Sequence, residues 1–195
     1  MAPNPPTDRV LASANYFKSI PWCAARLDST TEPIIYYTVP KEGEGAERGD
    51  KLWVVTLNTE FTIPHLVWFY ATPAPGSPPD ALIPELQAFL ELGPGVNGFP
   101  GYAHGGFVCA LLDEITGLLC SLNRARGALD RKPAMTGFLN TRFLKPVKAP
   151  GVILARARIT RAEGRKTWVE GWVEDEAGQE LSRADVMFVN LKGRL

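Results

Sequence analysis

The strongest constraint on the fold is one long apolar segment, residues 105–123, which contains neither proline nor a basic residue. Its two charged side chains are those of Asp113 and Glu114. The lack of helix-breaking residues predicts one continuous α-helix over 105–123. Because a helix that is apolar on nearly every side is normally buried, we expect this helix to lie in the core of the fold.

The sides of this predicted helix differ in side-chain size. Successive residues are rotated by about 100° around a helix, so residues three, four or seven positions apart share a side. One side carries bulky residues, namely Phe107, Leu111, Leu118 and Leu122. Another side carries small residues around one carboxylate, namely Gly106, Cys109, Ala110, Asp113, Gly117 and Cys120. The small side chains predict space for a ligand beside the helix.

Two adjacent acids in an apolar helix are costly to bury unless they are paired, hydrogen-bonded or protonated. Asp113 lies seven residues after Gly106, and helical side chains lean toward the helix N-terminus. Its carboxylate is therefore expected to point toward the beginning of the helix, where it would serve as a catalytic group kept away from water. The alternative, which we favour for Glu114, is that the acid accepts structural hydrogen bonds or faces a solvated edge.

The beginning of the helix offers a second chemical feature, the run Gly101-Tyr102-Ala103-His104-Gly105-Gly106. Unpaired amides and the positive end of the helix dipole meet there, and glycines allow a substrate oxygen to come close to the backbone. Gly105 and Gly106 thus predict an oxyanion hole, although they would also permit a tight turn into the helix. His104 is expected to contact the substrate carbonyl or to fix this loop; a proton-transfer role is less favoured because Asp113 already supplies a base.

The rest of the chain alternates between strand and turn patterns. Before the long helix, the sequence predicts strands at 52–58 and 66–71, a loop at 73–80 and a short helix at 84–92. After it, period-two alternation predicts four antiparallel strands at 135–143, 152–161, 167–175 and 181–191. These elements indicate an α+β domain in which a curved sheet surrounds one buried helix.

Composition places the chain among folded proteins with a single domain. It has 195 residues, 45% of them apolar, with 21 basic and 21 acidic side chains, which excludes histones, acidic tails and disordered chains. We expect residues 1–50, which are proline-rich and polar with one helix near 8–20, to form an N-terminal extension, and residues 51–195 to form the domain. The longest purely apolar stretches have six residues, so no membrane span and a cytoplasmic location are predicted, with a mitochondrial location left open.

The cysteines and histidines predict neither disulfides nor a metal site. Cys109 and Cys120 lie on the same predicted helix, about 16 Å apart, which is beyond the reach of a disulfide. With Cys23 they are expected to be reduced thiols. The chain has only two histidines, His65 and His104, and no two cysteines close in sequence, a pattern unlike that of zinc sites.

Charge is distributed unevenly along the chain. Residues 124–166 hold 12 basic and 2 acidic side chains, a net charge of +10, which favours a phosphate-rich ligand. RNA is disfavoured, because the pI of the whole chain is about 6.7 and aromatic residues do not alternate with basic ones along one strand.

A glycine motif upstream of the helix imitates a dinucleotide fingerprint. Gly93, Gly95 and Gly98 spell G-x-G-x-x-G, and Asp113 follows 20 residues after the first glycine. That fingerprint should follow a strand and place its acid at the end of the next strand. Here a helix is predicted before the glycines and Asp113 lies inside a helix, so nicotinamide binding is not expected.

Several motifs together identify a family. They are His104-Gly105-Gly106 followed by Asp113-Glu114, Met135-Thr136, the run from Leu139-Asn140 to Leu144-Lys145-Pro146, and the turn Glu163-Gly164-Arg165-Lys166. Over about residues 93–192 the chain resembles the PaaI-like hotdog thioesterases of the 4-hydroxybenzoyl-CoA thioesterase superfamily. The resemblance implies a hotdog fold and hydrolysis of an acyl-CoA to the free acid and CoA. The extension and the loop at 73–80 have no counterpart in that pattern.

The resemblance also implies roles for individual residues. Asp113 would activate water or attack the thioester itself, the backbone of Gly105 and Gly106 would polarise the carbonyl, and Thr136 would orient the water. Contacts to the CoA phosphates would come from Lys145, Arg165 and Lys166. No metal or redox cofactor is implied, since CoA is part of the substrate.

Members of this family form dimers or tetramers with sites shared between subunits, so Asp113 and Thr136 are expected to come from different chains. Two alternatives stay open from the sequence. One is a hotdog hydratase or dehydratase, disfavoured because its usual aspartate-histidine pair would need a histidine after Asp113. The other is a non-catalytic acyl-CoA-binding protein that retains the fold.

Overall fold

The computed structural model describes residues 8–28, 34–37, 51–71, 73–74 and 76–192. Of the predicted N-terminal extension, residues 1–7, 29–33 and 38–50 lie outside the described part. The α-helices are α1 (Asp8–Lys18), α2 (Pro21–Asp28) and α3 (Gly105–Arg126). The strands before α3 are β1 (Ile34–Tyr37), β2 (Leu66–Ala71), β3 (Glu85–Leu92), β4 (Asn97–Phe99) and β5 (Tyr102–Ala103), and those after it are β6 (Ala134–Phe143), β7 (Gly151–Glu163), β8 (Lys166–Glu174) and β9 (Glu180–Asn190).

The described strands form one large antiparallel sheet against which α3 packs. The strand order is β1-β2-β3-β7-β8-β9-β6, so the strand that follows α3 returns to the far edge of the sheet. β4 and β5 form a small separate hairpin directly before α3. A curved antiparallel sheet around one long helix is the hotdog fold, which confirms the predicted fold class.

Close packing of α3 on the sheet depends on a glycine in β8. A methyl group added at Gly171 would lie 2.9 Å from Thr116 Cγ2 and 3.3 Å from Leu112 Cδ2 on the helix. The Thr116 hydroxyl donates to the carbonyl oxygen of Leu112 at 2.7 Å, so its polar atom is satisfied inside the core. The predicted buried helix is therefore confirmed, with its C-terminus at Gly127 in the left-handed conformation that commonly ends a helix.

By length and composition alone, α3 would qualify as a membrane-crossing helix among the described residues. The same composition suits the central helix of a folded domain. Four of its large apolar residues are fully buried against the sheet: Leu111, Leu112, Ile115 and Leu119. In this fold the apolar surface of α3 contributes to the protein core.

The structure overturns the strand predicted at 52–58. Residues Leu52–Thr56 form a π-helical turn instead. Trp53 is the buried residue of this turn and packs against Trp68 and Phe107, with ring centroids 6.3 Å apart in each pair. β-branched and aromatic residues favour strands only weakly, and here the burial of one indole ring decides the local structure.

The structure also overturns the short helix predicted at 84–92, which is strand β3. Leu86, Leu90 and Leu92 follow a period of two and pack in the main core with α3. Phe89 belongs to a second buried cluster on the opposite face of the sheet. A strand buried on both faces reads as a nearly continuous apolar run, which is hard to distinguish from a buried helix by periodicity.

The second cluster is formed by the N-terminal helices. α1 is the helix predicted near 8–20, and α2 follows it without having been predicted. Together they cover the outer face of β2, β3 and β7 through Ala14, Phe17, Cys23, Leu27, Val67, Phe69, Phe89 and Leu154. The outer face of the sheet is thus apolar at this end, and the described N-terminal helices share a core with the sheet.

Candidate active site

The first turn of α3 is capped by the side chain that precedes it. His104 occupies the N-cap position, and its Nδ1 accepts a hydrogen bond of 2.8 Å from the Gly106 amide. The Gly106 amide, which the sequence assigns to an oxyanion hole, is therefore occupied by His104 in this structure.

The G-x-G-x-x-G motif makes room for neighbouring protein atoms. Methyl groups added at Gly93 or Gly95 would lie 2.4 Å and 2.7 Å from the carbonyl oxygen of Phe61. One added at Gly98 would lie 2.7 Å from Cδ2 of His104. A strand does precede these glycines, contrary to the sequence prediction, but they open a three-residue 3-10 helix and the β4–β5 hairpin. Their space is filled by the chain itself, with His104 held against Gly98.

The side of α3 that carries small residues runs along strand β6. At the beginning of the helix, a methyl group added at Gly105 would lie 3.4 Å from the ring of Phe143. One turn further, the Cys109 thiol donates to Thr141 Oγ1 at 3.6 Å. About one more turn along, Thr136 Oγ1 donates to Asp113 Oδ1 at 2.8 Å. These contacts form one line between α3 and β6, which we call the seam. It connects the predicted amide-rich start of the helix with the predicted carboxylate.

Asp113 and Thr136 meet within one chain. This corrects the expectation that the two residues come from different subunits. In the single chain, the Asp113 side chain is partly buried. Because β6 is an edge strand and mostly exposed, the carboxylate lies near the open border of the sheet. Its neighbour Glu114 is likewise partly buried.

A β-bulge in β6 determines which side chain meets Asp113. Thr136 pairs with Phe188 and Phe138 pairs with Met187, so Gly137 is an extra residue between them. The sequence prediction treated 135–143 as a regular strand and missed this feature. The available signal was a glycine inside a strand pattern, which often marks a bulge.

The three cations expected near the CoA phosphates lie at two ends of the sheet. Lys166 aligns with Val189 and, across β9, with Met135, so it lies about 10 Å from the beginning of β6. Lys145 follows the other end of β6 and donates to Gln179 Oε1 at 2.5 Å. The length of β6 separates Lys145 from Lys166 by roughly 30 Å within one chain.

Arg165 lies at the same end of the sheet as Lys166. Its Nη1 donates to the carbonyl oxygen of Asn190 at 3.2 Å. Arg165 and Lys166 are thus placed near the strand that carries Thr136, whereas Lys145 lies near the beginning of α3.

The three cysteines, all within the described residues, are free thiols, as predicted. Burial raises the pKa of the Cys120 thiol to about 12, against a smaller opposing effect of the positive charge of Arg124. Burial likewise raises the pKa of the Cys23 thiol to about 12. Both thiols are therefore protonated near neutral pH and unsuited to act as nucleophiles.

The cap made by His104 gives a testable expectation for this residue. Replacing His104 by Asn keeps a side-chain acceptor at the N-cap, whereas replacing it by Ala removes the acceptor. We expect His104→Ala to lower the free energy of unfolding by about 1 kcal/mol and His104→Asn to lower it by less than half of that. Urea unfolding followed by circular dichroism measures both values, and equal losses in the two variants would refute a capping role.

Comparison with known proteins gives this seam a context. A sequence profile of the thioesterase superfamily matches residues 100–182. Verlamelin biosynthesis protein B from a Lecanicillium species is 28% identical over an alignment of 204 positions, which covers 90% of this chain and 87% of that protein. Acyl-coenzyme A thioesterase THEM4 from Mus musculus is 28% identical over 97 residues, 49% of this chain and 39% of the mouse protein. The matched part of this chain thus spans well under half of the mouse enzyme.

A solved structure agrees with this architecture. A hypothetical thioesterase from Streptococcus pneumoniae, determined with coenzyme A, superimposes with a TM-score of 0.50 at 16% identity and covers 57% of this chain and 82% of its own. At this identity the similarity supports the fold alone.

The profile match covers the elements that form the seam. Residues 100–182 contain His104, the whole of α3 with Asp113, and strand β6 with Thr136. The hotdog fold, this match and the similarity to a named acyl-coenzyme A thioesterase agree with one another. The chain thus has a hotdog fold, and its residues 100–182 are similar to the thioesterase superfamily.

Proposed function

We propose that this protein hydrolyses an acyl-CoA thioester to the free acid and CoA, with Asp113 as the catalytic carboxylate. The observation that carries the proposal is the hydrogen bond from the Thr136 hydroxyl to the Asp113 carboxylate. Asp113 lies on the side of α3 that faces β6, as does Gly105 in the first turn of the helix. A carboxylate and an amide-rich helix start are the two groups that acyl transfer needs.

The reaction assigns each group a step. Thr136 holds Asp113 Oδ1, which leaves Oδ2 to take a proton from water as the water oxygen attacks the thioester carbonyl. The carbon–sulfur bond then breaks, and the departing CoA thiolate takes up a proton. In the alternative route Asp113 attacks the carbonyl directly, and water cleaves the resulting mixed anhydride. Both routes give the same acid and the same thiol.

We assign to the Gly105 amide the stabilisation of the negative charge that develops on the carbonyl oxygen. Within the described residues no acceptor is assigned to this amide, whereas the Gly106 amide already donates to His104. A hydrogen bond from Gly105 and the positive end of the α3 dipole would stabilise the oxyanion. The Gly106 amide would join it when the His104 ring turns away, a step that breaks the helix cap.

Arg165 and Lys166 are proposed to bind the CoA phosphates of the substrate hydrolysed at the seam nearest to them. Both lie at the end of the sheet where β6 begins, the end closer to Thr136. Lys145 lies roughly 30 Å away within one chain, too far to share one phosphate with them. We therefore propose that Lys145 binds the phosphates of a different substrate molecule, one that is held between this chain and a second subunit.

We propose that the partner subunit covers the exposed seam. Among the described strands, β6 lies at an edge of the sheet, and it exposes the large apolar side chains of Met135, Phe138 and Phe143, with Leu144 adjoining them. Exposed apolar patches and long edge strands mark association surfaces. We expect a homodimer with twice the chain mass of 21.4 kDa, and sedimentation equilibrium measures it; a purely monomeric protein would contradict this, and a tetramer would show a further contact.

The proposed location is the cytoplasm. One relative, an uncharacterized protein of Candida albicans that is 31% identical over 90 residues, is described as mitochondrial. Fractionation of cells that express the full chain would separate the two locations.

Release of free thiol from a panel of aliphatic and aromatic acyl-CoAs tests the proposed function. Hydrolysis of at least one acyl-CoA, with loss of the thioester absorbance in step with thiol release, would support it. Hydration of an enoyl-CoA without thiol release would favour a hydratase. Tight binding of CoA without turnover of any acyl-CoA would favour a non-catalytic binding protein.

A further inference from the structure

The bulge in β6 controls the orientation of Thr136. Directly opposed residues on neighbouring antiparallel strands point to the same face of the sheet. Phe188 and Val186 on β9 are buried in the main core with α3, so their partners Thr136 and Leu139 point toward the helix. Phe138 pairs with Met187, which lies outside that core cluster, and points away.

In a strand without a bulge, side chains alternate strictly between the two faces of the sheet. The neighbours of Thr136 would then face the helix in its place. Counting back from Leu139 in steps of two reaches Gly137 and then Met135, which would leave Thr136 on the outer face. The extra residue at Gly137 shifts the count by one and returns Thr136 to the face where Asp113 lies, 2.8 Å from its hydroxyl. Bulges often reorient a side chain in this way near active sites.

The surroundings of Gly137 leave little room for a side chain. A methyl group there would lie 3.1 Å from Val189 Cγ2 and 3.2 Å from the carbonyl oxygen of Met187, besides 2.9 Å from the mobile end of the Met187 side chain. The two further methyl groups of a valine would press against the backbone of β9. A large residue at this position must therefore displace the bulge.

We propose that Gly137 is a positioning residue for thioester hydrolysis, which acts by holding the bulge that places the Thr136 hydroxyl on the Asp113 carboxylate. The proposal rests on the proposed function. It assigns no contact with the substrate to Gly137 itself. Its effect on the reaction passes through Thr136 alone, and this makes it separable from a general role in stability.

The test compares four variants: Thr136→Ala, Gly137→Val, the double variant and the deletion of Gly137. Loss of the hydrogen bond to the carboxylate should lower kcat by about 10- to 100-fold in Thr136→Ala. Gly137→Val should lower kcat to a similar extent with little change in KM. If Gly137 acts through Thr136, the double variant should be no slower than the slower single variant.

Deletion of Gly137 is the informative control. It removes the extra residue, so a regular ladder keeps the pairs Thr136 with Phe188 and Phe138 with Met187. We expect the deletion to retain at least about one third of the wild-type kcat, well above Gly137→Val, although one residue of the chain is missing. A kcat as low as that of Gly137→Val would overturn the proposal, as would multiplicative effects in the double variant or an unchanged kcat in Gly137→Val.

Crystal structures of the deletion and valine variants separate this proposal from the proposed function. Retention of the contact between Thr136 Oγ1 and Asp113 in the deletion variant, together with its loss in Gly137→Val, would support the positioning role even if wild-type protein released no thiol. The reverse pattern would refute that role even if the protein is an active thioesterase. Thermal melts show whether each variant is folded at the assay temperature.

Discussion

Asp113→Asn should lower kcat for thioester hydrolysis by about 10²- to 10⁴-fold, the typical contribution of a positioned general base. Asparagine has nearly the same shape and can still accept a hydrogen bond from Thr136 through its carbonyl oxygen, so the fold should be preserved. It can neither take a proton from water nor attack the thioester. The rate of thiol release under saturating acyl-CoA measures the effect.

The adjacent acid provides a matched control. Glu114 lies on the same helix, next to Asp113, and is also partly buried. Glu114→Gln removes one negative charge from the same turn and should keep kcat within about threefold, as expected for a residue outside the reaction. If both variants lose activity equally, the effect belongs to the charge of the helix; if Asp113→Asn equals wild type, another residue is the base.

The two chemical routes open to Asp113 differ in the fate of the oxygen of water. In a single turnover in ¹⁸O-labelled water, general-base catalysis places the label in the product acid alone. Direct attack by Asp113, followed by attack of water on the aspartyl carbonyl, would place the label in the Asp113 side chain. Mass spectrometry of the peptide that contains Asp113 detects this label, and its presence establishes direct attack. Label in the product acid alone fits general-base catalysis or attack of water on the acyl carbonyl of the anhydride.

Asn123→Ala should lower the free energy of unfolding by about 2–5 kcal/mol, because it leaves buried backbone groups without partners. Asn123 is fully buried near the end of α3. Its Oδ1 accepts from the Ile83 amide at 2.8 Å, and its Nδ2 donates to the carbonyl oxygen of Ile83 at 2.9 Å. One side chain thus satisfies both backbone groups of a residue that enters strand β3.

Chemical denaturation of Asn123→Ala and of Asn15→Ala measures this contribution. Asn15 is exposed on α1, and its replacement should change the stability by no more than about 0.5 kcal/mol. A loss below about 1 kcal/mol in Asn123→Ala would mean that water replaces the missing partners. Activity per folded molecule should be unaffected, because Asn123 lies far along α3 from Asp113.

Period-two alternation predicts strands β6 to β9, and the lack of helix-breaking residues predicts α3. The strand at 66–71 is also predicted correctly, although β2 is buried on both faces. The two wrong elements carry neither signal clearly. β3 is covered on both faces because α1 and α2 pack on its outer side, and the turn at Leu52–Thr56 buries only Trp53.

The candidate site was predicted in its residue types and only partly in its geometry. Asp113 and Thr136 were singled out, but their contact within one chain depends on a bulge that shifts strand alternation by one residue. His104 was recognised without its capping role, since N-caps are usually Ser, Thr, Asp or Asn. These details depend on contacts between residues distant in sequence, which periodicity does not encode.

The two-sided burial of β2 and β3 has a consequence for any shortened form of this protein. A chain cut at the predicted boundary before residue 51 would lose Phe17, Cys23 and Leu27, whose contacts cover Phe69 and Phe89. The apolar side chains on the outer face of the sheet would then be exposed to solvent. Exposed apolar patches of this kind promote aggregation and nonspecific binding. The N-terminal helices α1 and α2 thus keep this apolar surface away from solvent. Their removal should lower the solubility of the protein before it affects the rate of the reaction.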